Sequence, residues 1–200
     1  MPGRAWLLVA MALAVGAMVV WIQPASVQAA LEWRPDRALQ EPWRAVSAAW
    51  LHWSAQHLIA NLAGCAVVGL LGVAARLTPR DALAWLLAWP LTQFGLLFEP
   101  SLARFGGASG VLHAGVAVAA IGMLRMRASH GRERAVGLLI LIGLVVKVAA
   151  ERPLSGPPLR AWDGWSIAIA PLAHLTGLAA GVATALACAL AARLRTRRRA

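Results

Sequence analysis

Six long stretches of the sequence are almost free of charge, roughly Ala5 to Ile22, Gln56 to Ala75, Ala82 to Phe98, Ser109 to Leu124, Ala135 to Ala150 and Trp165 to Ala192. Each approaches the ~20 residues that a helix needs to cross a ~30 Å hydrocarbon core. Inside lipid every backbone N–H and C=O must be bonded within the protein, which leaves helices and closed β-barrels. The stretches are continuous and rich in Ala and Leu, without the period-two alternation of a barrel strand, and so predict helices. With 60% hydrophobic and only 14% charged residues, the composition excludes an ordinary soluble domain. The expectation is an all-α membrane protein, a six-helix bundle forming a single domain over residues 1–200. No internal repeat suggests a transporter built from duplicated halves.

The charged segments set the orientation. Alternate connections hold Arg4, Arg76, Arg80, Arg125, Arg127, Arg132, Arg134, Arg193, Arg195, Arg197, Arg198 and Arg199 against only Asp81 and Glu133; in the others, arginines and acids balance. The positive-inside rule then puts both termini in the cytoplasm. Topology thus accounts for the net charge of +11. An Arg-rich tail beside a membrane helix meets anionic lipid, so the bilayer is the expected partner and nucleic acid is not. Arg4, the apolar run and PASVQAA have the outline of a signal peptide cleaved near Ala29. The run exceeds the usual core of about 7 to 15 residues, however, and Trp6 and Trp21 bracket it like interfacial anchors, so a retained first span is expected. The outer connection of residues 23–55 holds Trp33, Trp43, Trp50 and Trp53 and is expected to lie partly in the membrane interface. Cys65 and Cys188 lie inside apolar runs as core residues, and no spacing suggests a metal or cofactor site.

An ionisable side chain in hydrocarbon costs at least ~2.5 kcal/mol, so each one invites a functional explanation. They are His57, His113, Lys147 and His174, with Glu151 at a helix end. In HWSAQHLIANLAG, His57 and Asn61 are four residues apart and share a helix face, with His52 just ahead of them. Such a pair either bonds neighbouring helices or aims at a common point. In GGASGVLHAG the glycines permit a tight entry into a helix, with the Ser109 hydroxyl at its N-terminal end, where a serine also serves as a plain cap. In AHLTGLAAG, His174 precedes the GxxxG pair of Gly177 and Gly181. That pair lets another helix pack backbone-close and brings His174 within reach of a serine on the neighbour. Lys147 and Glu151, one turn apart, offset each other's insertion cost, which is structural explanation enough.

Taken in chain order, PWR at Pro42, Trp43 and Arg44, the HxxxxHxxxN pattern of His52, His57 and Asn61, GxSG from Gly107 to Gly110, and AHxxGxxxG from Ala173 to Gly181 resemble the rhomboid family of intramembrane serine proteases. The likeness runs from about Glu41 to Leu186. It implies a six-helix rhomboid-like bundle in the inner membrane of a bacterium, cleaving single-span membrane substrates at a site open to the periplasmic side. Carried over residue by residue, Ser109 is the nucleophile and His174 its base. The His57 and Asn61 side chains and the Ser109 N–H hold the oxyanion, while His52, Gly107, Gly110, His113, Gly177 and Gly181 support. With no carboxylate in the spans near these residues, a Ser–His dyad is expected in place of a triad. No cofactor or metal is expected. Many rhomboids carry an aromatic residue at the position of His113, packed on the catalytic histidine, so His113 is expected to stack on His174.

GASGVLHAG, the compact chain without added domains, and the run LLIGLVVKVAAE further resemble rhombosortases. These are rhomboid relatives thought to process proteins with a C-terminal GlyGly-type sorting signal, a Gly-rich stretch followed by one hydrophobic span and a short basic tail. The alternative is a non-proteolytic rhomboid-like pseudoenzyme that binds membrane segments, against which stands the retention of Ser109, His174, His57 and Asn61.

Overall fold

The computed structural model describes residues 3–126, 129–161, 163–164 and 166–197. Arg127, Arg198, Arg199 and the predicted start of the last span at Trp165 lie outside the described residues. Among those described, the chain forms eight α-helices: α1 (Arg4–Trp21), α2 (Ala25–Leu31), α3 (Arg44–Ser47), α4 (Ala55–Ala74), α5 (Pro79–Phe94), α6 (Ser109–Leu124), α7 (Gly131–Ala150) and α8 (Pro171–Arg197). Four segments are long and apolar enough to cross a membrane, namely Arg4–Trp21, Ala55–Ala74, Pro79–Phe98 and Pro171–Thr196, and Ser109–Leu124 is a shorter apolar helix. Between them, α7 carries Arg132, Glu133, Arg134 and Lys147.

Helix α6 is the hub, with Val111, Ala114, Ala117, Val118, Ala119 and Ala120 fully buried. Between helices in lipid, apolar burial gives no drive, so association depends on close packing of small residues. Helix α8 follows this rule. Gly177 lies on the Gly110 carbonyl and Gly181 on the Ala114 carbonyl, so closely that a Cβ on either glycine would overlap the oxygen. On the other flank of α6, Trp85 of α5 donates its indole N–H to the Val111 carbonyl at 2.8 Å. The outward faces remain apolar: Leu8, Val67, Leu70, Leu139 and Val146 are each more than 60% exposed. An apolar shell around a bundle that buries histidines and carboxylates is the arrangement of a multi-pass membrane protein.

Three expectations need correction. Trp6 is no interfacial anchor. It is fully buried, bonds the Val68 carbonyl at 2.8 Å and packs against Trp85 with ring centroids 4.4 Å apart, in a slot that exists because residue 72 is glycine. Helix α1 is thereby built into the core. Trp33 is likewise fully buried, packed edge-on to Phe94 at 5.3 Å, while Trp43 and Trp53 are exposed. The last helix starts at Pro171 and not near residue 165. Proline preorganises a first helical turn, and the preceding Ile169 is drawn into extended pairing with Arg160, both backbone bonds measuring 2.8 Å.

The two ends of the bundle differ in chemistry. At one, Gly3 N–H bonds the Leu77 carbonyl at 3.0 Å, and Asp81, which caps α5 through Thr78, pairs with Arg125 at 3.5 Å. The start of α4, the start of α6, the end of α7 and the start of α8 meet at the other.

Candidate active site

Local chemistry starts each of these elements where it does. Ser54 caps α4 by accepting from the His57 N–H at 3.1 Å. The chain leading to α6 is pinned by paired Trp33–Phe105 backbone bonds of 2.8 and 2.9 Å and by Gly107 N–H on the Ala48 carbonyl at 2.8 Å. Gly107 has φ of +124°, and a Cβ there would lie 2.7 Å from the His57 ring, so only glycine serves. The first ladder bond of α6 runs from Leu112 N–H to the Ala108 carbonyl at 2.9 Å. The Ser109 N–H therefore stands outside the ladder at a helix N-terminus, with no acceptor among the described residues.

The glycine contact between α6 and α8 brings Ser109 Oγ to 3.2 Å from His174 Nε2. Both line a cavity of about 490 Å³, as do His57 and Asn61. The Asn61 side chain donates to the His57 carbonyl at 3.1 Å, which leaves its second N–H available. Residues 159 and 167–170 close part of the wall, tied to the start of α4 where Ser166 N–H bonds Gln56 Oε1 at 2.8 Å. His52 meets the His57 ring edge-on at 4.6 Å and donates Nδ1–H to the Trp50 carbonyl at 3.1 Å. Burial pushes His52 down to about 4, so it is neutral at physiological pH and acts on His57 as a packed ring.

His113 stacks on His174, with ring centroids 4.1 Å apart and planes 15° from parallel. It is also a polar link. A carbonyl can only accept, so the 2.6 Å contact with the Ser109 carbonyl makes His113 Nδ1 the donor. Its Nε2 then accepts from the Lys147 ammonium at 2.6 Å.

The expectation that no carboxylate lies near the pair is overturned. Glu151 Oε2 is 2.6 Å from His174 Nδ1, and its other oxygen is 2.8 Å from Lys147 Nζ. Lys147 and Glu151 do pair with each other, as their spacing predicts, but they also reach across to α6 and α8. Their sequence positions pointed to the pair alone, because nothing in them gives the rotation of α7 against α8. Among the described residues no cluster of His, Cys, Asp or Glu has the geometry of a metal site, and both cysteines are free.

A bundle of this kind, holding a serine, two histidines and an asparagine around one cavity at one end, defines a class of helical membrane protein with a buried polar site. Residues 39–190 match the family profile described as Rhomboid domain. The chain belongs to the rhomboid family, whose members are typically intramembrane serine proteases. A search of curated proteins found no match.

Proposed function

We propose that the protein is an intramembrane serine endopeptidase that cleaves single-span membrane substrates. The observation that carries this reading is the 3.2 Å approach of His174 Nε2 to Ser109 Oγ inside a cavity shared with His57 and Asn61. Ser109 Oγ attacks the scissile carbonyl while His174 takes the hydroxyl proton. The carbonyl oxygen becomes an oxyanion, received by the Ser109 N–H and the side chains of His57 and Asn61. Collapse breaks the C–N bond, and His174 returns the proton to the leaving amine. Water then attacks the acyl-enzyme, giving a proton to His174, and the ester C–O bond breaks as His174 returns that proton to Ser109 Oγ, releasing the new carboxyl terminus.

In this reading all six long helices span the membrane with both termini cytoplasmic, since the arginine-rich connections gather at the end away from Ser109. The site then opens to the periplasmic side of a bacterial inner membrane, where water can enter. The substrate class that the rhombosortase resemblance favours is a protein ending in a Gly-rich stretch, one hydrophobic span and a basic tail. The test is reconstitution of the enzyme with such a substrate and mass analysis of the products. Wild type is expected to release a fragment cut near the outer boundary of the substrate span, and Ser109→Ala and His174→Ala none. Cleavage by Ser109→Ala at the wild-type rate would refute the assignment.

A further inference from the structure

We infer that Glu151 is the third member of the catalytic unit, a positioning residue that holds His174 as a base, with Lys147 keeping the carboxylate in place. The inference rests on the protease reading and goes beyond it, since Glu151 follows the end of α7, a helix that carries neither the nucleophile nor the base.

Donor and acceptor roles fix the proton positions. A carboxylate only accepts, so the 2.6 Å contact of Glu151 Oε2 makes His174 Nδ1 the protonated nitrogen. In a neutral imidazole the other nitrogen is then a lone pair, and it is this nitrogen, Nε2, that faces Ser109 Oγ at 3.2 Å. Without the carboxylate, either tautomer is open to His174, and the one protonated on Nε2 cannot take the serine proton. As that proton arrives, the imidazolium forms beside an anion that stays ionised throughout. No proton passes to Glu151, and on collapse the proton on Nε2 goes to the leaving amine.

Two features show that Glu151 is held for this purpose. Its side chain is only 9% exposed and lies just beyond the C-terminal end of α7, where the helix dipole disfavours an anion. The Lys147 ammonium at 2.8 Å offsets that cost. The guanidinium of Arg160 bonds the Glu151 carbonyl at 2.5 Å and the Arg152 carbonyl at 2.8 Å, fixing the backbone that aims the side chain. An ion pair serving only to bring a lysine into lipid needs one carboxylate oxygen. The second oxygen is spent on His174. Lys147 Nζ also lies 3.1 Å from His174 Nδ1. With a proton on that nitrogen the contact joins two donors, so Lys147 bonds Glu151 and His113 instead.

The test compares wild type with Ser109→Ala, Glu151→Gln and Glu151→Asp, reading kcat and KM on a reconstituted substrate and the imidazole ¹⁵N spectrum of His174. Glu151→Gln is expected to lower kcat by up to about 10⁴-fold, the effect seen when a triad acid becomes an amide, with KM nearly unchanged. Glu151→Asp is expected to recover much of that loss. In wild type the ¹⁵N spectrum is expected to show the His174 proton on Nδ1. A proton found on Nε2 in wild type would overturn the inference without any variant. So would Glu151→Gln with wild-type kcat while Ser109→Ala is inactive. Activity in Ser109→Ala would instead sink the protease reading itself.

Discussion

Gly110→Ala is a one-carbon change that tests whether helix contact sets the reacting distance. Gly110 follows Ser109 on α6, and a Cβ there would lie 2.6 Å from the carbonyl oxygen of Ala173, the residue before His174 on α8. Real Cβ atoms essentially never come closer than 3.0 Å, so the two backbones must part by at least about 0.4 Å. Both are rigid helical segments, and the shift passes directly to the neighbouring side chains. The Ser109–His174 separation of 3.2 Å then moves past the limit of a hydrogen bond. A 1 Å misplacement costs about 10²-fold, so about tenfold in kcat is expected, with about 1 to 3 kcal/mol of stability lost to overpacking. Gly143→Ala on α7 is the control, because a Cβ there meets nothing within 4 Å. Kinetics on a reconstituted substrate and thermal unfolding in the same detergent read both effects. Wild-type kcat in Gly110→Ala would refute the claim that backbone contact between α6 and α8 sets the site.

Arg44→Met tests the anchor of the outer loop. The buried guanidinium pairs with Glu41 and bonds the Ala29 and Glu32 carbonyls at 3.1 and 3.0 Å. Its loss is expected to cost about 3 kcal/mol, the low end for breaking a buried pair because Glu41 keeps some access to water; a loss below about 1 kcal/mol in denaturant unfolding would contradict this. His52 gives a pH signature. Its folded value of about 4 lies below the ordinary 6.5, so between these values the unfolded chain binds more protons and stability rises with pH. Thermal unfolding of His52→Leu is therefore expected to decline less steeply than wild type as pH falls from 6.5 to 4, and parallel curves would remove the basis for a neutral His52.

Much of the candidate site was legible because its chemistry is local. Ser109 among glycines, His57 and Asn61 one turn apart, and His174 ahead of Gly177 and Gly181 each form a short pattern, and the structure brings them to one cavity. Glu151 was not legible as a partner of His174. The two are 23 residues apart, one just past the end of α7 and the other on α8, and the nearer Lys147 fully explained the acid. Trp6 misled for a related reason. A tryptophan at the end of an apolar run looks like an anchor, and only its packing against Gly72 shows it to be core. The start of α8 did carry a signal in Pro171, but the apolar residues just before it continue the hydropathy of the helix while Ile169 pairs with Arg160 in extended backbone.

The most direct measurement is covalent labelling with a fluorophosphonate, followed by mass mapping of the modified peptide. The probe reacts only with a serine whose proton is being removed by a base. The expected result is a single label on Ser109 in the wild type, absent in Ser109→Ala and lost in His174→Ala. Labelling of Ser109 at full rate in the folded His174→Ala protein, or no labelling of the wild type at all, would contradict the account.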